Sequence, residues 1–414
     1  MRGWHDGAGM NGGLRASVVI VSRHRAAALA RAITALRQQS AQNIEVIIVA
    51  DPAACAQFAG QGDLKVIPFD QPNISAARNL GLGQAAGDVA LFIDDDAVAE
   101  PTLAARLMAA FDTADVVAAT GFVRGRSGIS FQWRACAVDH MGQDHPLDVP
   151  QTPSLHHGTP KRAVKTQGTN CAFRTAALRE IGGFDPAFEF YLDEADVNLR
   201  LAPLGGTMIV PDAQVHHGFL ASARRKGNRV PTSLFDIAAS TAVFLRKHAG
   251  GDVAVGQAAM FAAQTARIDA LRAKRKITPQ QAQELQRSLD AGWQAGLARD
   301  FGAAQSFGAA SPFKPLQGTG PRDHVVISGW IWAQKTLHAQ AKAALAQGQI
   351  VTVICLAPSL RRHKMQFLPQ GYWWQSGGVW GRSDRDVPAL KWRSLAARVM
   401  SEAARIAPYR GGSR

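Results

Sequence analysis

Short β-branched runs alternate with stretches of helical spacing through the first hundred residues, and this alternation narrows the fold most. Ala16-Ser17-Val18-Val19-Ile20-Val21, Ile44 to Ala50 and Val89 to Ile93 are apolar at nearly every position. Such runs suit strands covered on both faces. Leu64 to Pro68 is a weaker run of the same kind. Between the runs, Leu29, Ile33 and Leu36 recur at helical spacing, and Asn73 to Ala86 reads as a helix. The alternation predicts an α/β domain on a mostly parallel sheet. Helices are predicted over 102–112, 175–181 (stopped by Gly182-Gly183) and 194–202, and strands over 116–123 and 207–210. From Arg124 to Gln167, scattered prolines and histidines interrupt the pattern, which predicts a long loop region or lid.

The chain has 414 residues. A single core stops growing at roughly 250–300 residues, so more than one unit is expected. The divisions expected are a flexible arm over 1–15, an α/β domain over 16–232, and a helical extension over 233–300. A Gly-, Ala-, Ser- and Pro-rich linker follows over 301–322, then a C-terminal α/β module over 323–414. Within the extension, Thr278-Pro279 reads as a cap followed by a first-turn proline, separating two helices. In the C-terminal module, 324–328 and 350–356 read as strands around a helix over 331–347. Its tail from Gly371 carries four tryptophans among basic residues. That tail either packs a small domain, the reading preferred, or lies on an anionic membrane surface.

The four cysteines are far apart with no CxxC spacing, which excludes a disulfide framework and fits a reducing compartment. The formal net charge of +14 favours anionic partners or serves solubility alone. No apolar run reaches the roughly 18–20 residues that span a bilayer.

Three constellations carry chemistry. Asp94-Asp95-Asp96 closes a predicted parallel strand, where open α/β sheets bind ligands. Adjacent carboxylates repel, and a hard divalent cation relieves them; an acidic turn opening a helix is the alternative. Asp193-Glu194-Ala195-Asp196 follows an aromatic run and offers a general base or a helix cap led by Asp193. His216-His217 offers a metal ligand or plain filler. Gly81 to Gly87 spells GxGxxxG but precedes a strand, so it lacks the context of a dinucleotide loop.

In order, Ser17-Val18-Val19-Ile20-Val21-Ser22, Ile47-Ile48-Val49-Ala50-Asp51, Asn73-Ile74-Ser75-Ala76-Ala77-Arg78-Asn79-Leu80-Gly81, Phe92-Ile93-Asp94-Asp95-Asp96, Gly182-Gly183-Phe184-Asp185, Asp193 to Arg200 and Pro211 to His217 resemble the motifs of family 2 glycosyltransferases. The resemblance covers about 16–220. It implies the GT-A nucleotide-diphospho-sugar transferase fold, a mostly parallel Rossmann-like sheet flanked by helices, with a C-terminal extension. It implies that Ser22, Arg25, Asp51, Asn73, Arg78, Asn79, Asp94 and Asp95 surround the nucleotide sugar, Asp51 at the base and Asp94 at the ribose. Asp95 is the acid of its run whose loss should matter least. Asp96 and His217 would hold Mn²⁺ or Mg²⁺. The catalytic base falls on Glu194, with Asp193 its rival, because the family's Glu-Asp order is swapped to Asp-Glu. Trp133, Gln167, Gly168, Asn170 and Asp196 are the acceptor candidates.

The resemblance further implies inversion, and the missing QxxRW after residue 217 implies a single, non-processive transfer. Expected partners are a nucleotide-diphosphate sugar, a saccharide or lipid-linked acceptor of polysaccharide biosynthesis, and an anionic membrane surface, with nucleic acid not expected. The expected place is the cytoplasm, peripheral on the inner face of the cell membrane. Two other readings stay open: a nucleotidyltransferase, which would need a glycine-rich loop where Ser22-Arg23-His24-Arg25 stands, and a non-catalytic binding protein that retains the nucleotide fold.

Overall fold

A computed structural model describes residues 13–218, 230–388 and 390–411; all but the last three residues of the arm expected over 1–15 lie outside them. The first domain runs β1 (Ala16–Ser22), α1 (Ala26–Leu36), β2 (Ile44–Ala50), α2 (Pro52–Ala56), β3 (Leu64–Pro68), α3 (Ile74–Gln84), β4 (Val89–Asp94), β5 (Ala97–Ala99), α4 (Leu103–Ala109) and β6 (Val116–Arg124). It continues through β7 (Phe131–Trp133), β8 (Cys136–Asp139), β9 (Asp144–Pro146), β10 (Ser154–His156), β11 (Arg162–Val164), β12 (Cys171–Arg174), α5 (Thr175–Glu180), α6 (Asp193–Leu201) and β13 (Gly206–His217). The main sheet has the order β10-β13-β6-β12-β4-β1-β2-β3, with β5 on β13 and β7 on β6. β3, β2, β1 and β4 are parallel, and β12 runs antiparallel between β4 and β6. This is the mixed α/β architecture expected of a GT-A domain.

The apolar runs fill both faces of that sheet. Val18, Ile20, Val46, Ile48 and Leu91 pack with α1 and α4 on one side. Val19, Ile47, Val49 and Phe92 pack with α3, α5 and α6 on the other. Each such side chain contributes about 1.5–3 kcal/mol when fully buried. Phe92, Phe173 and Phe184 meet edge to face at 5.1–6.3 Å. Asn73 caps α3 by accepting from Ala76 N, and Asp51 caps α2 by accepting from Ala54 N. Gly182 and Gly183 end α5 at φ of +78° and +73°, a left-handed stop that glycine adopts without strain.

Two expectations change here. The segment 124–167 is not one loop: β7 to β11 lie within it, and β11-β8-β9 form a separate three-stranded sheet. Strands of three or four residues are too short to show a period, yet Val138, Ala163 and Val164 bury their side chains. The segment 301–322 has no helix or strand, but it is a strap held to the first domain rather than a free linker. Leu316 donates to Ile44 O and is buried in the core, Lys314 N donates to Glu45, and Gly320 N donates to Gln39 O.

The helical extension is α7 (Phe235–His248), α8 (Val253–Ala273) and α9 (Pro279–Ala298). Thr278 forms a full capping box with Gln281 at the start of α9. The C-terminal module follows as β14 (His324–Trp330), α10 (Gln334–Ala346), β15 (Ile350–Ala357), β16 (Lys364–Phe367), β17 (Trp373–Gly378) and α11 (Leu395–Arg410). Its sheet order is β14-β15-β17-β16. Trp373 and Trp374 pack inside, whereas Trp392 is exposed. The module seats on the first domain through Met365 N to Ser127 O and through a buried ion pair between Arg410 and Glu100. Among the described residues no helix is long and apolar enough to cross a membrane.

Candidate active site

Register brings the acids together. Ser22 pairs with Ala50 and Val21 with Asp94, so β1, β2 and β4 finish at one edge with their following residues beside one another. After a register shift between Val210 and Gln214, β13 continues along β6 to His216 and also pairs with β5, where His217 stands opposite Ala97, the residue after Asp96. Ligand atoms of Asp94, Asp96 and His217 consequently lie within 4.8 Å of one another. His217 Nε2 stands 3.2 Å from Asp96 Oδ1 and 3.9 Å from Asp94 Oδ2. Trp133 stacks on the His217 ring at 5.6 Å.

These groups line a cleft of about 620 Å³. Its walls hold Arg25, Asn73, Arg78, Asp94, Asp95 and Asp96 on the strand side, Trp133, Gln167 and Gly168 on another, and Asp193, Glu194 and His217. Arg25 reaches Asp95 Oδ1 at 3.0 Å and Asp96 Oδ2 at 3.5 Å. Two carboxylates and an imidazole suit a divalent cation, oxygen donors favouring Mg²⁺ or Mn²⁺ and the nitrogen donor tilting toward Mn²⁺. The residues present therefore fit such an ion. Asp94, expected at a ribose, stands within this set.

The two candidate bases differ in their surroundings. Asp193 is buried and ion-paired to Arg78, itself buried, whose Nη2 also donates to Gly168 O at 3.1 Å. A Cβ on Gly168 would lie 2.7 Å from Arg78 Nη2, so glycine there keeps the guanidinium in place. Glu194 is only half-buried and faces the cleft. Desolvation, with the negative Asp193 beside it, pushes its carboxyl above the usual range, while Lys165 pulls it down. Tyr191 and Leu192, immediately before α6, adopt φ of +76° and +64°. Left-handed backbone in non-glycine residues costs of order 1–3 kcal/mol each, and it sets the start of the helix that presents both acids. The cap is Leu192, with no side-chain bond, so Asp193 is the first helical residue rather than the cap expected of it.

Several expected site residues do other work. Ser22 Oγ donates to Asp95 Oδ2 at 2.7 Å, and neither Ser22 nor Asp51 lines the cleft. Asp51 accepts from His24 N and Ala54 N, fixing the turn after β1. Asn79 bonds Phe184 N and O, holding the Gly-Gly turn. Asn170 is fully buried and donates to Phe122 O and Ala213 O. Asp196 points away into Arg200, Lys247 and His248. Neither residue lines the cleft, which corrects the acceptor set: a side chain buried inside the fold does not face the space a sugar would occupy. Asp95 is also revised, since it is buried against Ser22 and Arg25 and its loss touches the fold of the site. Lys165, Asp144, Glu189 and Arg267 line the cleft without having been anticipated. Asp144 lies on β9, Lys165 just after β11, Glu189 in the connection before α6 and Arg267 on α8, places whose sequence gives no local signal.

Parts of the chain are similar to known proteins. An uncharacterized glycosyltransferase of Nostoc sp. (strain PCC 7120) is 33% identical over 112 residues, covering 25% of this chain and 35% of that protein. The chain thus spans about a third of the length of that relative. Among solved structures, GalNAc-T7 with UDP, GalNAc and Mn²⁺ is 15% identical over 57% of this chain and 48% of its own, at a TM-score of 0.44. TarS of S. aureus is 16% identical over 56% and 39%, at 0.37. Residues 17–182 match the family described as glycosyl transferase family 2.

Proposed function

We propose that the cleft moves one sugar from a nucleotide-diphosphate donor to a hydroxyl of a saccharide or lipid-linked saccharide, with inversion and without processive extension. The observation that carries this reading is the convergence of Asp94, Asp96 and His217 in one cleft with Glu194 and Arg78. Asp94, Asp96 and His217 would hold Mn²⁺ or Mg²⁺, which supplies Lewis-acid relief for the diphosphate charge. Arg78 and Arg25 add fixed positive charge in the same cleft.

Glu194 is the base in this reading. As the acceptor oxygen bonds to the anomeric carbon, its proton passes to the Glu194 carboxylate. The bond from that carbon to the phosphate oxygen breaks, and the diphosphate leaves with the electron pair. Attack opposite the leaving group inverts the centre. Asp193 instead holds Arg78, since a carboxylate already committed to a buried guanidinium is a poor proton acceptor. The raised affinity of Glu194 for protons fits a base that works near neutral pH. Trp133 and Gln167 face the acceptor side. The four free cysteines suit the cytoplasm, and the basic surface suits an acidic membrane face.

Turnover of a panel of nucleotide sugars, with Mn²⁺ and saccharide acceptors, tests this. Glu194→Gln should keep donor binding and lose turnover by roughly 10²–10⁴-fold. An unchanged rate, with Asp193→Asn inactive instead and Arg78 undisturbed, would reverse the assignment.

A further inference from the structure

Several of the most exposed large apolar side chains gather at one end of the C-terminal sheet. β14, β15 and β17 run parallel, and Trp330, Leu356 and Gly377 stand in register, so the three strands finish level. The chain leaves β14 through Ile331-Trp332, β15 through 358–363, and β17 through 379–393. The last two connections are tied together: Gly378 N donates to Arg361 O at 2.8 Å, and His363 N to Arg382 O at 3.1 Å. Trp332 stacks on Trp330 at 5.2 Å and Trp392 leans on Trp380 at 4.9 Å, yet Trp332 remains 70% exposed and Trp392 72%. Leu360, Val387 and Leu390 are exposed on the same connections.

Cations surround them. Arg361, Arg362, Arg382, Arg385, Lys391 and Arg393 lie on these connections against two carboxylates, Asp384 and Asp386. Asp384 already accepts from Ser130 Oγ at 2.9 Å. Tryptophan with arginine and lysine is the composition that seats a protein in the head-group layer of an acidic bilayer. A soluble acidic glycan would satisfy the arginines but gives nothing to Leu360, Val387 and Leu390.

We propose that this end of the C-terminal sheet docks on an anionic lipid bilayer, with Trp332, Trp392 and Leu360 entering the head-group layer and the arginines meeting lipid phosphates. The surface is also tied to the cleft. Ser130, which bonds Asp384, immediately precedes β7, whose Trp133 forms cleft wall. The docking therefore deepens the transfer reading by presenting the cleft to lipid-borne acceptors, but it rests on separate residues.

Co-sedimentation of the full chain with vesicles tests it. The protein should pellet with phosphatidylcholine vesicles that contain phosphatidylglycerol, less so at high salt, and not with phosphatidylcholine alone. Arg361→Glu with Arg362→Glu should weaken binding roughly tenfold or more, and Trp332→Ser with Trp392→Ser should also weaken it. Both pairs should keep the parent melting temperature and the parent hydrolysis of nucleotide sugar in solution. Failure of the parent to bind acidic vesicles overturns the proposal, as does equal binding by both variants. Equally tight capture by dextran sulfate, indifferent to the tryptophan pair, overturns it in favour of a glycan. Vesicle binding without any nucleotide-sugar turnover would leave docking intact and sink the transfer reading; turnover without vesicle binding would do the reverse.

Discussion

Replacing Arg410 by Met removes one side chain from the last turn of α11 and should be felt at the far corner of the first domain. Arg410 Nε and Nη2 donate to the two oxygens of Glu100 at 2.8 Å each, and both residues are fully buried. The guanidinium also lies 3.9 Å over Trp373 and donates to Thr352 Oγ1. Glu100 follows β5 and bonds His216 Nε2 at 2.7 Å, next to His217 on β13. Without Arg410, the Glu100 carboxylate keeps only the imidazole, which desolvation holds neutral at ordinary pH. Stranding a buried charge in this way costs about 3–5 kcal/mol. Chemical denaturation should show that loss for Arg410→Met. Glu100→Gln added to it should lose less than the two single changes together, because the pair is coupled. Mn²⁺ affinity should fall roughly tenfold, as it does when support behind ligands is removed. A loss under about 0.5 kcal/mol, or strict additivity, would refute the reasoning. Arg410 also holds Glu100 far below the usual carboxylate range. Its contribution is complete above the unfolded pKa and is lost as pH falls through the folded value, so Arg410→Met should flatten the acid limb of the stability profile.

Other perturbations are simpler to read. Because the Glu194 carboxyl is raised, its basic form grows as pH climbs above the usual carboxylate range, and kcat should rise over that window. Lys165→Met removes a positive neighbour and should move that rising limb to higher pH; an unmoved limb would take Glu194 out of the role. Ser22→Ala strips a hydrogen bond from buried Asp95 and should cost about 1–3 kcal/mol in a melt. Gly168→Ala forces a contact on Arg78 and should raise the KM for the nucleotide sugar without lowering the melting point by more than a few degrees.

How much of this was legible in the sequence depended on the length of each signal. β1, β2 and β4 are seven, seven and six residues of almost unbroken burial, and their apolar runs announce them. The Thr278-Pro279 cap appears as read, because capping is decided within four residues. β7 to β11 were invisible: three or four residues carry no period, and β10 and β11 pair with strands well away in the chain. The strap over 301–322 was hidden because its composition is that of a linker, while its hydrogen bonds go to Ile44, Glu45 and Gln39. In the site, residue type marked Asp94, Asp96, Glu194 and His217. It did not separate side chains that face the cleft from Asn170 and Asp196, which are buried inside the fold. Lys165 and Glu100 were missed because each matters only through a partner far away in sequence.

On the proposed reading, Asp94, Asp96 and His217 make one metal-dependent site for a nucleotide diphosphate. Calorimetric titration of nucleoside diphosphates into the full chain, with and without Mn²⁺, tests it most directly. Saturable binding of at least one nucleoside diphosphate is expected, needing Mn²⁺ and disappearing in Asp96→Ala. Binding of equal strength without metal, or no binding of any nucleoside diphosphate with Mn²⁺ present, would contradict it.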